Sequence, residues 1–286
     1  MKRLSILAAA ATLAVSSAAA APAGSPQRAM SLNLCTDQLL LQLLPRERIT
    51  SVTYLSRSSE YSYLNAADFG VPVNYGTAEE VLEQHPDVVI TGTSSTPSVR
   101  ALLKRVGATI VEAPPAENFD EIRAVMRVVA GAVGAEEKAE SLIAQMDAAL
   151  AELARTAPNR RIVVAGWNGV GNVSGKGTLF DAILTAAGGE NIADRLGTSG
   201  FNGYTTVDLE LLVALHPDIL AYGNSRVGRL DLSGEQLKHR VVRRFFAGRQ
   251  ITYPETLYSC GLPQSATVAA RDLRRAMLAI TARTAK

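Results

Sequence analysis

The sequence predicts an α/β protein of two lobes, each built on a mostly parallel sheet, joined by one long α-helix and facing each other across a cleft. Three observations carry this reading. The stretch EEVLEQHPDVVITGT (79–93) returns as LELLVALHPDILAYG (209–223), and His85 and His216, each followed by Pro-Asp, stand 131 residues apart. Each copy reads as a short amphipathic helix, a His-Pro-Asp stop and an apolar strand, so the chain is a doubled unit. Short apolar strands alternate with helical patterns throughout, which demands crossover connections and hence parallel pairing with helices on both faces. Between the copies, residues 136–157 carry Leu142, Met146, Leu150 and Leu153 at helical spacing among many Ala, Glu and Lys. That is one helix of about 20 residues, roughly 30 Å long, acting as a stiff strut.

The elements follow in order. In the first lobe AMSLNL (29–34) is a strand entering the helix CTDQLLLQLLP, and RITSVTYL (48–55) is a second strand. Thr77 caps the helix AEEVLEQ, DVVITG is a third strand, PSVRALLKRVG (97–107) a helix stopped by its glycine, and TIVEA a fourth strand. The second lobe repeats the scheme with strand RIVVAGW (161–167), helix TLFDAILTAAGG, helix LELLVAL, strand DILAYG, a helix over LKHRVVRRFFAG (237–248), strand QITYP and a closing helix over 267–284. The expected boundaries are a Rossmann-like first lobe at 27–134, the linking helix at 135–158 and a second such lobe at 159–286.

Composition narrows the classes. Lys2 and Arg3 precede an uncharged apolar run from Leu4 to about Val15, then Ala18 to Ala21 and a breaker-rich segment. This is the order of a secretory signal peptide over 1–22, too short in its apolar part to span a bilayer. A lipid anchor on Cys35 is the weaker alternative, since the bulky Leu34 sits where lipoprotein signals have a small residue and Cys35 lies well past the apolar run. With 29 basic against 27 acidic residues the chain has no nucleic-acid footprint. Two cysteines are too few for a disulfide scaffold, although an exported chain can oxidise them into one bridge.

The signal peptide, the two lobes, the linking helix and the element GTLFDAILTAAGGENIAD (177–194), with AEEVLEQHPDVVI and LELLVALHPDIL, resemble the helix-linked periplasmic binding proteins of ABC importers for ferric siderophores, cobalamin and haem. The resemblance implies a monomeric periplasmic carrier without enzymatic activity or resident cofactor. Its cargo is a metal chelate, a ferric siderophore first, with cobalamin and haem behind it. Its partner is an inner-membrane permease dimer with its ATPase subunits. It also implies docking through one acidic residue at the start of each repeated helix, here Glu79 and Glu210. These are again 131 residues apart, so the repeat makes them equivalent, and a carboxylate there is favoured by the helix dipole.

In open α/β sheets ligands bind beyond the carboxyl ends of the strands, where loops vary and helix N-termini offer free N–H groups. The loops expected to line the cleft supply Cys35, Thr36, Tyr54, Arg57, Tyr75, Thr93 and Ser94 from the first lobe, and Trp167, Asn168, Ser225, Arg226, Tyr258 and Cys260 from the second. Trp167, the single tryptophan, sits at a strand end before NGVGN and reads as a wet, loop-borne site rather than core. Arg57 and Arg226 offer bidentate hydrogen bonds to an anionic chelate, and Tyr54 or Tyr258 offers a phenol to haem iron. For Cys35 and Cys260 three readings stand: two unreactive thiols, a bridge across the cleft, or contacts to a ligand or its metal. Rival signals are weak. GVGNVSGKGT (169–178) lacks the first glycine and the hydroxyl residue of a phosphate loop and reads as a glycine-rich hairpin. Three histidines are too few to converge on a bare transition metal, and no nucleophile elbow marks a hydrolase.

Overall fold

The computed structural model describes residues 24, 26–93, 101, 103–105, 107, 109–168, 171–196, 203–226 and 232–284; the expected leader at 1–22 and most of the expected helix at 97–107 lie outside them. The first lobe contains β1 (Ala29–Ser31), α1 (Leu34–Leu43), β2 (Ile49–Thr53), β3 (Val73–Asn74), α2 (Ala78–Gln84), β4 (Val88–Gly92), β5 (Ile110–Ala113) and α3 (Phe119–Val133). Its five strands pair in parallel in the order β3-β2-β1-β4-β5. The linking helix α4 (Glu136–Arg155) follows directly. The second lobe contains β6 (Ile162–Gly166), β7 (Asn172–Ser174), α5 (Leu179–Ala186), β8 (Gly189–Asn191), β9 (Tyr204–Thr206), α6 (Leu209–Ala214), β10 (Ile219–Gly223), α7 (Leu232–Lys238), α8 (Arg240–Phe245), β11 (Gln250–Tyr253) and α9 (Pro263–Thr284). Four strands form a parallel sheet, β11-β10-β6-β8, and β7 with β9 makes a separate antiparallel ribbon.

Several boundaries differ from expectation for local reasons. The first strand stops at Ser31 because the Asn33 side chain accepts the Cys35 N–H at 2.9 Å and caps α1, which places Leu34 inside the helix. The helix expected over 237–248 is two, divided at His239, whose Nδ1 accepts the Val241 N–H. The closing helix starts at Pro263 rather than 267, since proline's fixed φ suits the first helical position. The glycine-rich segment turns back as expected, with Trp167 bridging Val173 antiparallel and the Asn168 N–H donating to the Asn172 carbonyl at 3.1 Å, and β7 also pairs with β9 some thirty residues on, Asn172 opposite Thr206.

Strand residues alternate between two apolar clusters, as a period of two requires of a sheet covered on both faces. Ile162, Val164, Ile219 and Ala221 join the large cluster, while Val163, Ala165 and Leu220 join a smaller one with Val242 and Phe246. In the first lobe Ala29, Val88 and Ile90 face the same large cluster, and Met30 and Val89 the opposite side. One core therefore receives the inner faces of both sheets. Helix α4 buries Leu142, Ile143, Met146 and Leu153 in it and packs against α3 of the first lobe and α5 and α9 of the second. The strut expected to hold the lobes apart is thus a middle layer that cements them.

The repeated turn has the same unusual backbone in both lobes. His85 (φ 46°) and His216 (φ 49°) are the two non-glycine residues with positive φ among those described. The left-handed conformation ends the helix, costs about 1–2 kcal/mol for a side chain with Cβ, and lets the following proline point the chain into the next strand. Asp87 then accepts the Gln27 and Arg28 N–H groups entering β1, at 2.8 and 3.0 Å. Its counterpart Asp218 accepts the Val163 N–H of β6 at 2.9 Å. The unit recurs because each copy ties a helix end to its lobe's central strands.

Two buried charged side chains complete the frame. Arg274, 7 % exposed, donates to the carbonyls of Leu153 (2.6 Å), Ala187 (2.8 Å) and Ala186 (3.0 Å) and to the Thr156 hydroxyl (3.0 Å). One guanidinium on α9 so satisfies the C-terminal ends of α4 and α5. Asp37 on α1 is fully buried and accepts from the Thr53 N–H (3.1 Å), the Thr53 hydroxyl and the Ser56 hydroxyl (2.7 Å), fixing the turn that carries Tyr54 and Arg57. Burial raises its pKa to about 6, with hydrogen bonds from Ser31, Thr53 and Ser56 opposing the rise.

Replacing Arg274 with Met leaves those carbonyls buried without donors, and urea unfolding is expected to show a loss of about 3 kcal/mol. For Asp37 the folded state holds a proton that the unfolded state gives up between its ordinary pKa of 3.8 and about 6. Stability therefore falls as pH rises through that window, by up to about 3 kcal/mol, and is flat above it. Denaturation curves at pH 4 and pH 6.5 are expected to show this decline in the wild type and its loss in Asp37→Asn.

Candidate ligand cleft

The carboxyl end of the second lobe's sheet opens onto a cleft of about 720 Å³, within the range of small-molecule sites, which the first lobe reaches through Glu117. Its second-lobe wall is polar, with Asn168, Asn172, Ser174 and Thr206 presented by the β6 end and the β7–β9 ribbon. Its floor is aromatic: Phe180, Tyr253 and Tyr258 meet with ring centroids 4.3–5.9 Å apart. Two strand-end glycines make room for this floor. A Cβ on Gly166 would lie 2.3 Å from the Phe180 ring, and one on Gly223 2.0 Å from the Glu255 carboxylate. Glu117, from the segment leading into α3, reaches the opposite side and accepts the Leu179 N–H of α5 at 3.1 Å.

The expected site residues divide into groups. Asn168 and Tyr258 line the cleft. Tyr54 and Tyr75 stack on each other at 5.2 Å on the first lobe and are 49 % and 71 % exposed, a ready apolar platform; Arg57 is exposed at the end of the Tyr54 turn. Cys35, Thr36, Thr93 and Cys260 surround a separate cavity of about 100 Å³. Thr36 is buried, its hydroxyl bonded to the Asn33 carbonyl and to Ser31, so it braces the α1 cap. Ser225 donates to Glu255 and holds that carboxylate in place. Ser94 and the Arg226 side chain lie outside the described residues.

Two expectations need correction. Trp167 is 1 % exposed and belongs to the outer core of the second lobe with Val173 and Leu220, because Val173 of β7 folds back to bridge it. It touches the cleft only from beneath its wall. The cysteines are bonded to each other with Cα atoms 5.0 Å apart, so the unreactive-thiol and ligand-contact readings both give way to the bridge.

The chemistry of the lining is that of a binding surface. Among the described lining residues formal charge comes from Glu117 and Glu255 alone. Burial pushes the Tyr258 phenol well above its usual pKa, with Tyr253 and Asp272 adding to the rise, which favours its protonated form. Phe180, Tyr253, Asn172, Ser174 and Glu117 escape sequence reasoning: Phe180 packs into the gap at Gly166, Asn172 and Ser174 are placed by ribbon pairing, Tyr253 ends β11 and Glu117 comes from the segment before α3. The glycine that ends the first strand of the second lobe was the one available signal.

Glu79 and Glu210 occupy the second position of α2 and α6, behind the caps Thr77 and Asp208, and both are exposed. The neighbouring Glu80 is engaged in the capping box, accepting from the Tyr75 and Thr77 N–H groups, which distinguishes it from Glu79.

Comparison with known proteins agrees with this architecture. Residues 30–237 match a family model described as periplasmic binding protein. A cobalamin-binding protein of Halobacterium salinarum is 26 % identical over 219 residues, 74 % of this chain but 58 % of the relative, so this chain spans less than two thirds of that protein's length. The apo haem-binding protein RhuT of Roseiflexus sp. RS-1 superposes with a TM-score of 0.68 at 22 % identity, over 90 % of this chain and 99 % of that one. The haem-binding protein BhuT in complex with two haems gives 0.71 at 21 % identity over the same shares. With two parallel-sheet lobes clamped on one long helix and a family match across most of both, the chain belongs to the periplasmic binding proteins.

Proposed function

We propose that this chain is the periplasmic carrier of an ABC importer, exported by its N-terminal leader, and that its cleft takes a corrinoid such as cobalamin. The observation carrying the cargo assignment is the lining: amide and hydroxyl side chains beside an aromatic floor, with the carboxylates of Glu117 and Glu255 as the charged groups among the described lining residues. Haem and ferric catecholates bring carboxylate or catecholate groups that pair with guanidinium or ammonium partners. A corrin ring edged with neutral amides instead suits Asn168, Asn172, Ser174 and Thr206, and its flat face suits the aromatic floor of Phe180, Tyr253 and Tyr258. This reverses the order expected from sequence, where a ferric siderophore came first. Exposed Arg57 favours a siderophore as the second reading.

Delivery proceeds through the two lobes' equivalent carboxylates. Glu79 and Glu210 are exposed, and among the described residues neither has a hydrogen-bond or ion-pair partner. They are suited to cationic residues of a two-fold symmetric permease with its ATPase subunits, met by a monomeric carrier.

Titration of Trp167 fluorescence with cyanocobalamin, haemin, a ferric hydroxamate and a ferric catecholate is expected to show saturable quenching by cyanocobalamin at the lowest concentration. Tight binding of the ferric hydroxamate or catecholate instead would transfer the assignment to a siderophore. The double variant Glu79→Lys/Glu210→Lys is expected to retain ligand affinity within about twofold while cellular uptake is lost; continued uptake would remove both residues from docking.

A further inference from the structure

The Cys35–Cys260 bridge joins two segments 225 residues apart, the start of α1 in the first lobe and the approach to α9 in the second. Two other contacts between the lobes converge on the same place. Gly261, with φ +57°, passes so close to Ala116 that a Cβ there would lie 2.5 Å from its carbonyl oxygen. Glu117, the next residue, holds the Leu179 N–H. Tyr258 and Ser259, immediately before the bridge, line the cleft. The lobes are therefore fastened twice, by the α4 layer and by this covalent tie beside the floor.

The tie is placed to be broken by thiol exchange. Both cysteines are only partly buried and edge the 100 Å³ cavity. Cys35 is the second residue of the ten-residue helix α1, where N–H groups and the helix dipole stabilise a thiolate and make it the better leaving group.

We propose that the bridge is a substrate for a dithiol oxidoreductase, and that its reduction loosens the lobe junction and speeds loss of ligand from the cleft. One thiolate of the dithiol attacks Cys260 Sγ, forming a mixed disulfide, and Cys35 leaves as a thiolate that takes up a proton. The second thiol of the partner then displaces Cys260, and the partner leaves oxidised to its own disulfide. Two electrons and two protons pass to this chain in all.

The release half rests on the cleft being the ligand site; the loosening half does not, and the experiment separates them. Hydrogen exchange of the Leu179 amide and of the amides of residues 116–118 is followed in the full chain, oxidised or reduced with dithiothreitol, and in Cys35→Ser/Cys260→Ser. Exchange is expected to rise at least tenfold in the reduced chain and in the variant, and to return on reoxidation of the wild type. Dissociation of cyanocobalamin is expected to quicken about tenfold in parallel. Unchanged exchange in the reduced wild type overturns the proposal even if the double variant fails to fold. Increased exchange without cyanocobalamin binding in either form leaves the tie standing and overturns the cargo assignment instead.

Discussion

The burial of α4 between α3 on one side and α5 and α9 on the other is the contact on which the rest of the molecule depends. Leu142, Ile143, Met146 and Leu153 turn what would be two small sheets into one body with a common interior. Each such side chain is worth roughly 1.5–3 kcal/mol when removed from water. The facing ends of the sheets inherit their spacing from that layer, and so does the cleft.

Doubling explains the symmetry of what surrounds it. The His-Pro-Asp turn accepts local backbone strain in each lobe and returns a fixed link between a helix end and the central strands. Because Thr77 and Asp208 cap their helices at the same point of the repeat, Glu79 and Glu210 emerge at matched positions. The proposed docking to a two-fold partner rests on these two equivalent acidic points.

Much of this was legible before any coordinates. The repeat, the alternation and the uninterrupted helix each rest on a period that survives in sequence, and β4, β10 and α4 fall where the pattern puts them. What was not legible depends on partners distant in the chain. Trp167 reads as a loop residue until β7 folds over it, and β7 stays there through pairing with β9. Strands of two or three residues such as β3 and β8 are too short to show a period. Phe180 and Glu255 enter the cleft region because Gly166 and Gly223 leave space, a matter of three-dimensional proximity. The bridge was open among three readings because only the fold brings its ends together.

Arg274 has a bearing on how the molecule comes into being. The carbonyls it gathers belong to a helix completed 121 residues earlier and to another nearly ninety residues back. The chain's final helix is therefore the keystone of a core begun at its first strand. Arg274 joins pieces far apart in sequence, so the ends of α4 and α5 are closed only once α9 has docked on them.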